Sequence, residues 1–353
     1  ALAIPVLGTA QVNVSTNVEG RNAVVEEWTG LHCGYCPIGH AMVNSQIAAN
    51  PGRVVALNIH SGGFSVPSAG EPDYRTTQGN TLDGAFPIGG SYPSSTLNRR
   101  TIGGSQIYHP ADLGNASHIP TVLGENSEVN IYATATLDIV TRQLDVEVEY
   151  YYTSNAPNGT NYLNVAVTQN DIHGPQDDYG NYNPTGWVDQ AAGIYRHNHI
   201  FRKFMNTPGT WGAPISSTTM GSTAIVNYSE TLPMDINGVG MDLANIELAI
   251  YIGDGFQSAG NVLTGISVIP TLTGFTATDE VVFQSASADD LNVCNAGGNE
   301  TMSPTINMQN WGSNPMTSAT ITYDVNGGTP VVMNWTGTIA PGATAMVTLD
   351  PIT

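Results

Sequence analysis

The sequence predicts a multidomain, mainly β chain, with an α/β unit over residues 11–124, a β-sandwich over 125–275 and a smaller sandwich over 276–353. Three observations predict it. Two short apolar runs, at 22–28 and 53–59, enclose a helical segment, the pattern of a βαβ unit with a buried parallel sheet. From about Ser127 the apolar period becomes two, with Gly, Asn and Pro clusters between the runs. Near the C-terminus, Asn326-Gly327 joins two alternating runs, a hairpin signal of type I′.

Each element follows in order. Residues 22–28 (NAVVEEW) read as the first strand. Residues 37–49 read as a helix, with Pro37 at its start and Asn50-Pro51-Gly52 as its stop. Residues 53–59 (RVVALNI) form the second strand. The stretch 61–92 is rich in Gly, Pro and Ser, with weak helical character at 73–83. Residues 91–100 read as a strand entered through Pro93. Val129, Ile131, Ala133 and Ala135 then alternate with polar residues, as do Leu144, Val146 and Val148. Further strands are expected at 163–167, 197–204, 222–228 and 246–252. The last unit carries strands at 280–285, 303–308, 318–325, 329–335 and 343–349, few for an immunoglobulin-like sandwich, so this domain is expected to continue beyond Thr353.

Composition narrows the function. Of 353 residues only 11% are charged, against roughly 25% in a typical soluble domain. Hydrophobic residues make up 41%, enough for a sizeable core, so the chain is not a charged disordered one. A formal charge of -20 with the single lysine Lys203 disfavours nucleic acid and anionic membrane surfaces as partners. No run reaches the ~18 apolar residues of a membrane span, so no membrane insertion is expected. Residues 1–10 (ALAIPVLGTA) read as the remnant of a signal peptide, with Gly8-Thr9-Ala10 as the cleavage pattern, which points to export.

The chemistry concentrates in residues 28–37, Trp-Thr-Gly-Leu-His-Cys-Gly-Tyr-Cys-Pro. A strand delivers the chain to a loop, and Cys33 and Cys36 sit at the N-terminus of the following helix. Unpaired N–H groups and a partial positive charge at that end stabilise a thiolate. The spacing lets Cys36 close a disulfide on Cys33, making Cys33 the exposed nucleophile and Cys36 the resolving thiol. Glu27, six positions earlier, can lie beneath the helix and accept the Cys36 proton. Pro93 enters a strand that can face the cysteines, and a cis Tyr92-Pro93 bond would offer a backbone edge to a substrate.

These residues carry a resemblance. The βαβ pattern, Cys33-Gly34-Tyr35-Cys36-Pro37, Glu27 and Tyr92-Pro93-Ser94 are similar to the thioredoxin superfamily. More narrowly, residues 25–30 (VEEWTG), Tyr92-Pro93 with Asn98-Arg99, and residues 195–202 (YRHNHIFR) resemble the outer membrane protein 28-related family of Bacteroidetes. That resemblance spans about residues 20–270 and implies a thioredoxin-like domain followed by a β-sandwich in an exported protein. Residues 303–342 are similar to immunoglobulin-like modules of secreted proteins from the same bacteria. Two departures stand out: His32 precedes Cys33 where thioredoxins have Trp, and the 61–92 insertion is long.

Two functions fit. One is an exported thiol–disulfide oxidoreductase whose partners are protein thiols or disulfides, with no cofactor beyond the redox disulfide, located extracellularly, at the cell surface or in the periplasm. The other is a non-enzymatic structural or adhesive component of a cell-surface assembly, in which the disulfide is structural. Metal alternatives are His32, Cys33, Cys36 and His40 as a zinc or copper set, and His197 with His199 on one strand face. Asp177 and Asp178 with Asn181 and Asn183 form an oxygen-rich loop that suggests calcium. Cys294 is left over, free or paired beyond the sequence.

Overall fold

A computed structural model describes residues 13–102, 104–109, 118–205, 209–287, 303–324 and 328–351. The expected signal-peptide remnant, the Asn326-Gly327 turn and Cys294 lie outside these residues. The chain forms two compact units. One comprises the residues up to Ala135 with Leu144–Pro270, the other Thr136–Gln143 with Thr271–Thr353.

The first unit opens with β1 (Ala23–Thr29), α1 (Cys36–Ala49) and β2 (Val54–His60). Next come α2 (Thr77–Ala85), β3 (Ser94–Leu97) and α3 (His118–Leu123). The hairpin β4 (Val129–Asp138) and β5 (Gln143–Tyr152) leads to β6 (Asn161–Gln169), β7 (Ile172–Gly174), β8 (Trp187–Asp189), β9 (Ile194–His197) and β10 (Ile200–Phe204). The unit finishes with β11 (Ala213–Ile215), β12 (Thr223–Thr231), β13 (Asp235–Ile236), β14 (Val239–Gly240), β15 (Ile246–Gly253) and β16 (Val262–Val268).

Its main sheet runs β16-β15-β6-β10-β2-β1-β3, with β11 also on β6. β1 and β2 are parallel, from Ala23 opposite Val54 to Thr29 opposite His60, as the two apolar runs predict. β3 runs antiparallel to β1, placing Ser94 opposite Trp28 and Leu97 opposite Val25. β10 joins β2 in parallel through Ile200 opposite Asn58 and is antiparallel to β6. This corrects the expected boundary at 124/125. Strands from both sides of it hydrogen-bond into one sheet, so 11–124 and 125–275 are not separable at that point. Lys203 lies on β10 within the shared sheet and pairs with Glu230 at 2.9 Å.

Why β1 is apolar throughout follows from its two covered faces. Val24 and Trp28 pack with Val55, Leu57, Leu82 of α2, Phe86, Phe201 and Tyr251. Ala23 and Val25 face the other way, against Val43 of α1, Ala56, Leu97, Ile119 and Val122. Helices therefore cover both sides, and every residue of β1 and β2 is buried. The weak helical signal at 73–83 becomes α2 slightly later, because Thr76 caps it by accepting a hydrogen bond from the Gly79 N–H.

The second unit holds β17 (Thr271–Thr273), β18 (Val281–Ser287), β19 (Thr305–Asn310), β20 (Met316–Tyr323), β21 (Val331–Ile339) and β22 (Thr344–Thr348). β17 pairs in parallel with the 136–138 end of β4. The sheets β18-β19-β22 and β20-β21 enclose Ile306, Met308, Ile321, Ile339, Val347 and Leu349. β20 and β21 are antiparallel, as the alternating runs around Asn326-Gly327 predict. The mainly β, multi-unit class expected from the sequence is the class observed.

Candidate functional site

β1 ends at Thr29, and the chain turns through Gly30–Tyr35 into α1, whose first residue is Cys36. Gly30 has no Cβ because the Phe64 carbonyl carbon would lie 2.5 Å from it. Cys33 and Cys36 are joined in a disulfide at the N-terminus of α1. Tyr35 caps that end without a side-chain hydrogen bond; the Cys36 N–H donates to the Cys33 carbonyl at 3.0 Å and the Ile38 N–H to the Tyr35 carbonyl at 3.1 Å.

The sequence places Cys33 as an exposed nucleophile; the structure corrects this, since Cys33 is only 3% exposed and Cys36 is fully buried. The cause is a strap, residues 176–183, laid along the cysteine loop. Gln176 Nε2 donates to the carbonyls of Gly30 (3.1 Å) and Cys33 (3.2 Å). The Asp177 and Tyr179 N–H groups donate to the Leu31 and Gly34 carbonyls at 2.8 and 3.0 Å. The Tyr179 ring lies where a Cβ on residue 34 would stand, 2.4 Å from it, which accounts for Gly34.

Glu27 is wholly buried on β1, on the face shared with Val25 and Thr29, the side covered by α1. Neither carboxylate oxygen has a hydrogen-bond partner among the described residues, and burial raises its pKa well above the usual carboxylate value. Beside it, Thr29 Oγ1 meets His40 Nε2 at 2.9 Å, and His40 Nδ1 meets the Tyr195 hydroxyl at 3.0 Å. Asn183 Nδ2 donates to that hydroxyl at 2.6 Å, so Thr29, His40, Tyr195 and Asn183 form one hydrogen-bonded chain. Burial raises the Tyr195 pKa; the Asn183 hydrogen bond opposes this, and the charge of Glu27 adds to it.

His40, His60 and His197 form a buried group. The His60 and His197 rings are 5.5 Å apart and those of His40 and His197 6.4 Å. Burial, then the neighbouring histidines, lowers His40 to about 3. Burial lowers His197 to about 4, although the Pro175 carbonyl opposes the shift, and it takes His60 well below its ordinary value. All three are neutral at physiological pH. Between them and Tyr195 lies a cavity of about 10 Å³, room for about one water.

Pro93 follows a cis Tyr92-Pro93 bond and is buried. Because Ser94 stands opposite Trp28, Pro93 lies at the end of β1 from which the cysteine loop departs. Tyr92 donates to Asp83 at 2.9 Å and its ring packs 5.9 Å from that of Phe64. The Phe64 carbonyl in turn accepts from the His32 N–H. Cys33, Cys36, Glu27 and Pro93 are thus gathered at one end of the main sheet.

The metal candidates separate. His32 is held by Glu71 (2.9 Å) and Asp177 (3.7 Å), the cysteines are bonded to each other, and both His40 nitrogens are occupied. His197 and His199 do not share a strand face. His199 has φ 54°, which breaks the expected 197–204 strand into β9 and β10, and its Nδ1 meets Glu247 at 3.1 Å. Asp177 pairs with His32, whereas Asp178 caps a turn by accepting from the Tyr182 N–H at 2.8 Å. No group of three metal-ligating side chains occurs among the described residues.

Sequence reasoning missed the ion pair on the opposite face of β1. Glu26 and Arg99, 1% and 3% exposed, meet at 2.5 and 2.8 Å, with Thr96 and Tyr251 as further partners. Arg99 also lies 5.4 to 5.6 Å from the rings of Tyr251, Phe86 and Trp211. Asn98 and Arg99 both have positive φ, and Asn98 bonds the backbone of Val24, Asn22 and Val262. A charged residue inside an apolar strand, Glu26, and an arginine just after β3, Arg99, were the available signal.

Comparisons with known proteins follow the fold. HBP35 of Porphyromonas gingivalis has a similar structure at TM-score 0.56 and 15% identity, covering 94% of this chain and 98% of that one. A protein of Agrobacterium tumefaciens aligns at TM-score 0.43 and 14% identity over 71% of this chain and 95% of its own. A domain of the outer membrane lipoprotein Omp28 from Porphyromonas gingivalis aligns at TM-score 0.28 and 14% identity over 42% and 91%. No curated protein matches the chain. None of the described helices is long and apolar enough to cross a membrane, which says nothing of a β-barrel. The family described as outer membrane protein Omp28 matches residues 80–263, which include Pro93 and the strap but leave out Glu27 and the two cysteines. That match spans more than half of the sequence, so the chain, a protein of the cell envelope, belongs to the outer membrane protein Omp28 family.

Proposed function

We propose that this envelope protein exchanges thiols and disulfides with polypeptide partners through Cys33 and Cys36. The observation that carries the reading is Glu27: a buried carboxyl without a hydrogen-bond partner among the described residues, its pKa raised by burial, on the strand leading to a disulfide at a helix N-terminus. In the reduced pair, the Cys33 thiolate attacks a substrate disulfide, forming a mixed disulfide and releasing one substrate thiolate. Cys36 gives its proton to the Glu27 carboxylate and attacks the Cys33 sulfur, releasing the second substrate thiolate. The pair loses two electrons, the substrate gains them, and Glu27 ends protonated, the form its burial favours in the oxidised state. Pro93 helps hold the substrate backbone. A Cys36→Ser variant is expected to accumulate mixed disulfides that mass spectrometry detects, and the native pair to catalyse insulin reduction by dithiothreitol. Neither adduct nor turnover would remove the reading.

The burial of Cys33 favours a second reading, a surface or adhesive assembly component whose disulfide pins the loop beneath the strap. Retention of assembly and stability in a Cys33→Ser, Cys36→Ser protein, together with no exchange by the native one, would select it.

A further inference from the structure

We propose that Tyr35, Tyr179 and Tyr182 form the docking surface for a lysine- or arginine-bearing segment of the polypeptide partner. The proposal rests on the exchange reading for its biological sense. Its geometry is independent of it.

Tyr35 lies between the two cysteines in sequence and is 51% exposed; Tyr179 and Tyr182 are 71% and 40% exposed. Their rings touch. Tyr35 and Tyr179 meet edge to face at 5.6 Å, and Tyr35 and Tyr182 lie 5.9 Å apart. The group is built in: the backbone bond from Tyr179 to Gly34 fixes the strap, and the absent Cβ at Gly34 admits the Tyr179 ring. Three large rings left in water beside a disulfide call for a partner.

Charge says which partner. The segments that frame the site, residues 30–50, 61–74 and 175–189, contain no Lys or Arg but hold Glu71, Asp73, Asp177, Asp178 and Asp189. Asp73 is neutralised by Arg75 at 2.8 Å. Among the described residues the Asp177 carboxylate meets His32 alone, at 3.7 Å, and stays half exposed, and the Asp178 carboxylate is spent on backbone N–H groups that carry no full charge. Aromatic faces attract cations, and this acidic rim adds to that attraction. A thiolate on Cys33 would add one more negative charge, which a cationic segment offsets and an acidic one would oppose.

The test uses the folded, oxidised chain and two cysteine-free fluorescent peptides of equal length, one Lys/Arg-rich and one Glu-rich. The cationic peptide is expected to bind about tenfold more tightly at low salt, with the difference shrinking at high salt. Tyr179→Ala with Tyr182→Ala should abolish most of that preference, circular dichroism confirming the fold. Equal binding of the two peptides would overturn the proposal. So would a preference undiminished in the double variant, which would trace it to the overall charge of -20. Exchange of the native disulfide with dithiothreitol is measured separately. Its absence strikes the redox reading alone, and peptide discrimination strikes or supports the docking surface alone.

Discussion

Replacing Glu27 by Gln removes a buried ionisable group without changing its shape. In the fold this carboxyl has a pKa raised by burial, with no hydrogen-bond partner among the described residues to oppose the shift. Its unfolded pKa is that of an ordinary glutamate. The stability it contributes is therefore fully present below the unfolded value and is lost as pH rises toward the folded value. Across that window the unfolded chain releases one proton that the folded chain keeps, so stability falls by about 1.4 kcal/mol per pH unit. The Gln variant lacks this slope. Guanidinium unfolding of both proteins, disulfide intact, at a series of pH values rising from the unfolded glutamate value should show the variant gaining on the native chain by up to that amount per unit. A variant less stable than the native protein throughout, with a difference that does not change with pH, would mean that Glu27 is ionised and paired in the fold. The proton-acceptor role would fall with it.

Other expectations are equally specific. The buried histidines have folded pKa values lowered, to about 3 for His40 and about 4 for His197, with His60 also well below its ordinary value. Their stabilisation is present above the unfolded histidine value and lost as pH falls, at about 4 kcal/mol per unit for three protons, so unfolding followed from about pH 6 to about pH 5 should be steeply acid-sensitive. His40→Gln with His197→Gln should flatten that dependence. Glu26→Gln strands the Arg99 guanidinium inside the protein and should cost about 3–5 kcal/mol in chemical denaturation. Cys33→Ser with Cys36→Ser opens only a four-residue loop and should cost about 2 kcal/mol. Gly34→Ala drives a methyl into the Tyr179 ring, lifts the strap and should speed reduction of the disulfide by small thiols, read by mass spectrometry.

The parts of the fold legible in sequence were those with local causes. β1, α1 and β2 announce themselves because continuous apolar runs are bounded by Pro37 and by Asn50-Pro51-Gly52, and β4 and β5 because one face alternates. The sharing of one sheet by β1, β2, β6, β10, β15 and β16 was not legible, since long-range strand pairing leaves no mark in a local period. The break at His199 was hidden because a non-glycine residue takes positive φ there, held by Asn170 Oδ1 accepting from its N–H. At the site, Cys33, Cys36, Glu27 and Pro93 were all named and stand at one end of the sheet. The strap was read as an oxygen-rich turn, because nothing in residues 176–183 reports that they lie against a loop some 143 positions earlier.

The most direct measurement equilibrates the folded native protein with dithiothreitol redox buffers, then quenches by alkylation and weighs the chain. The account predicts a reversible two-electron transition of Cys33 and Cys36 while circular dichroism and Trp fluorescence remain native. A pair that stays disulfide-bonded in excess dithiol until the chain unfolds would contradict the exchange function and leave the disulfide as a structural pin.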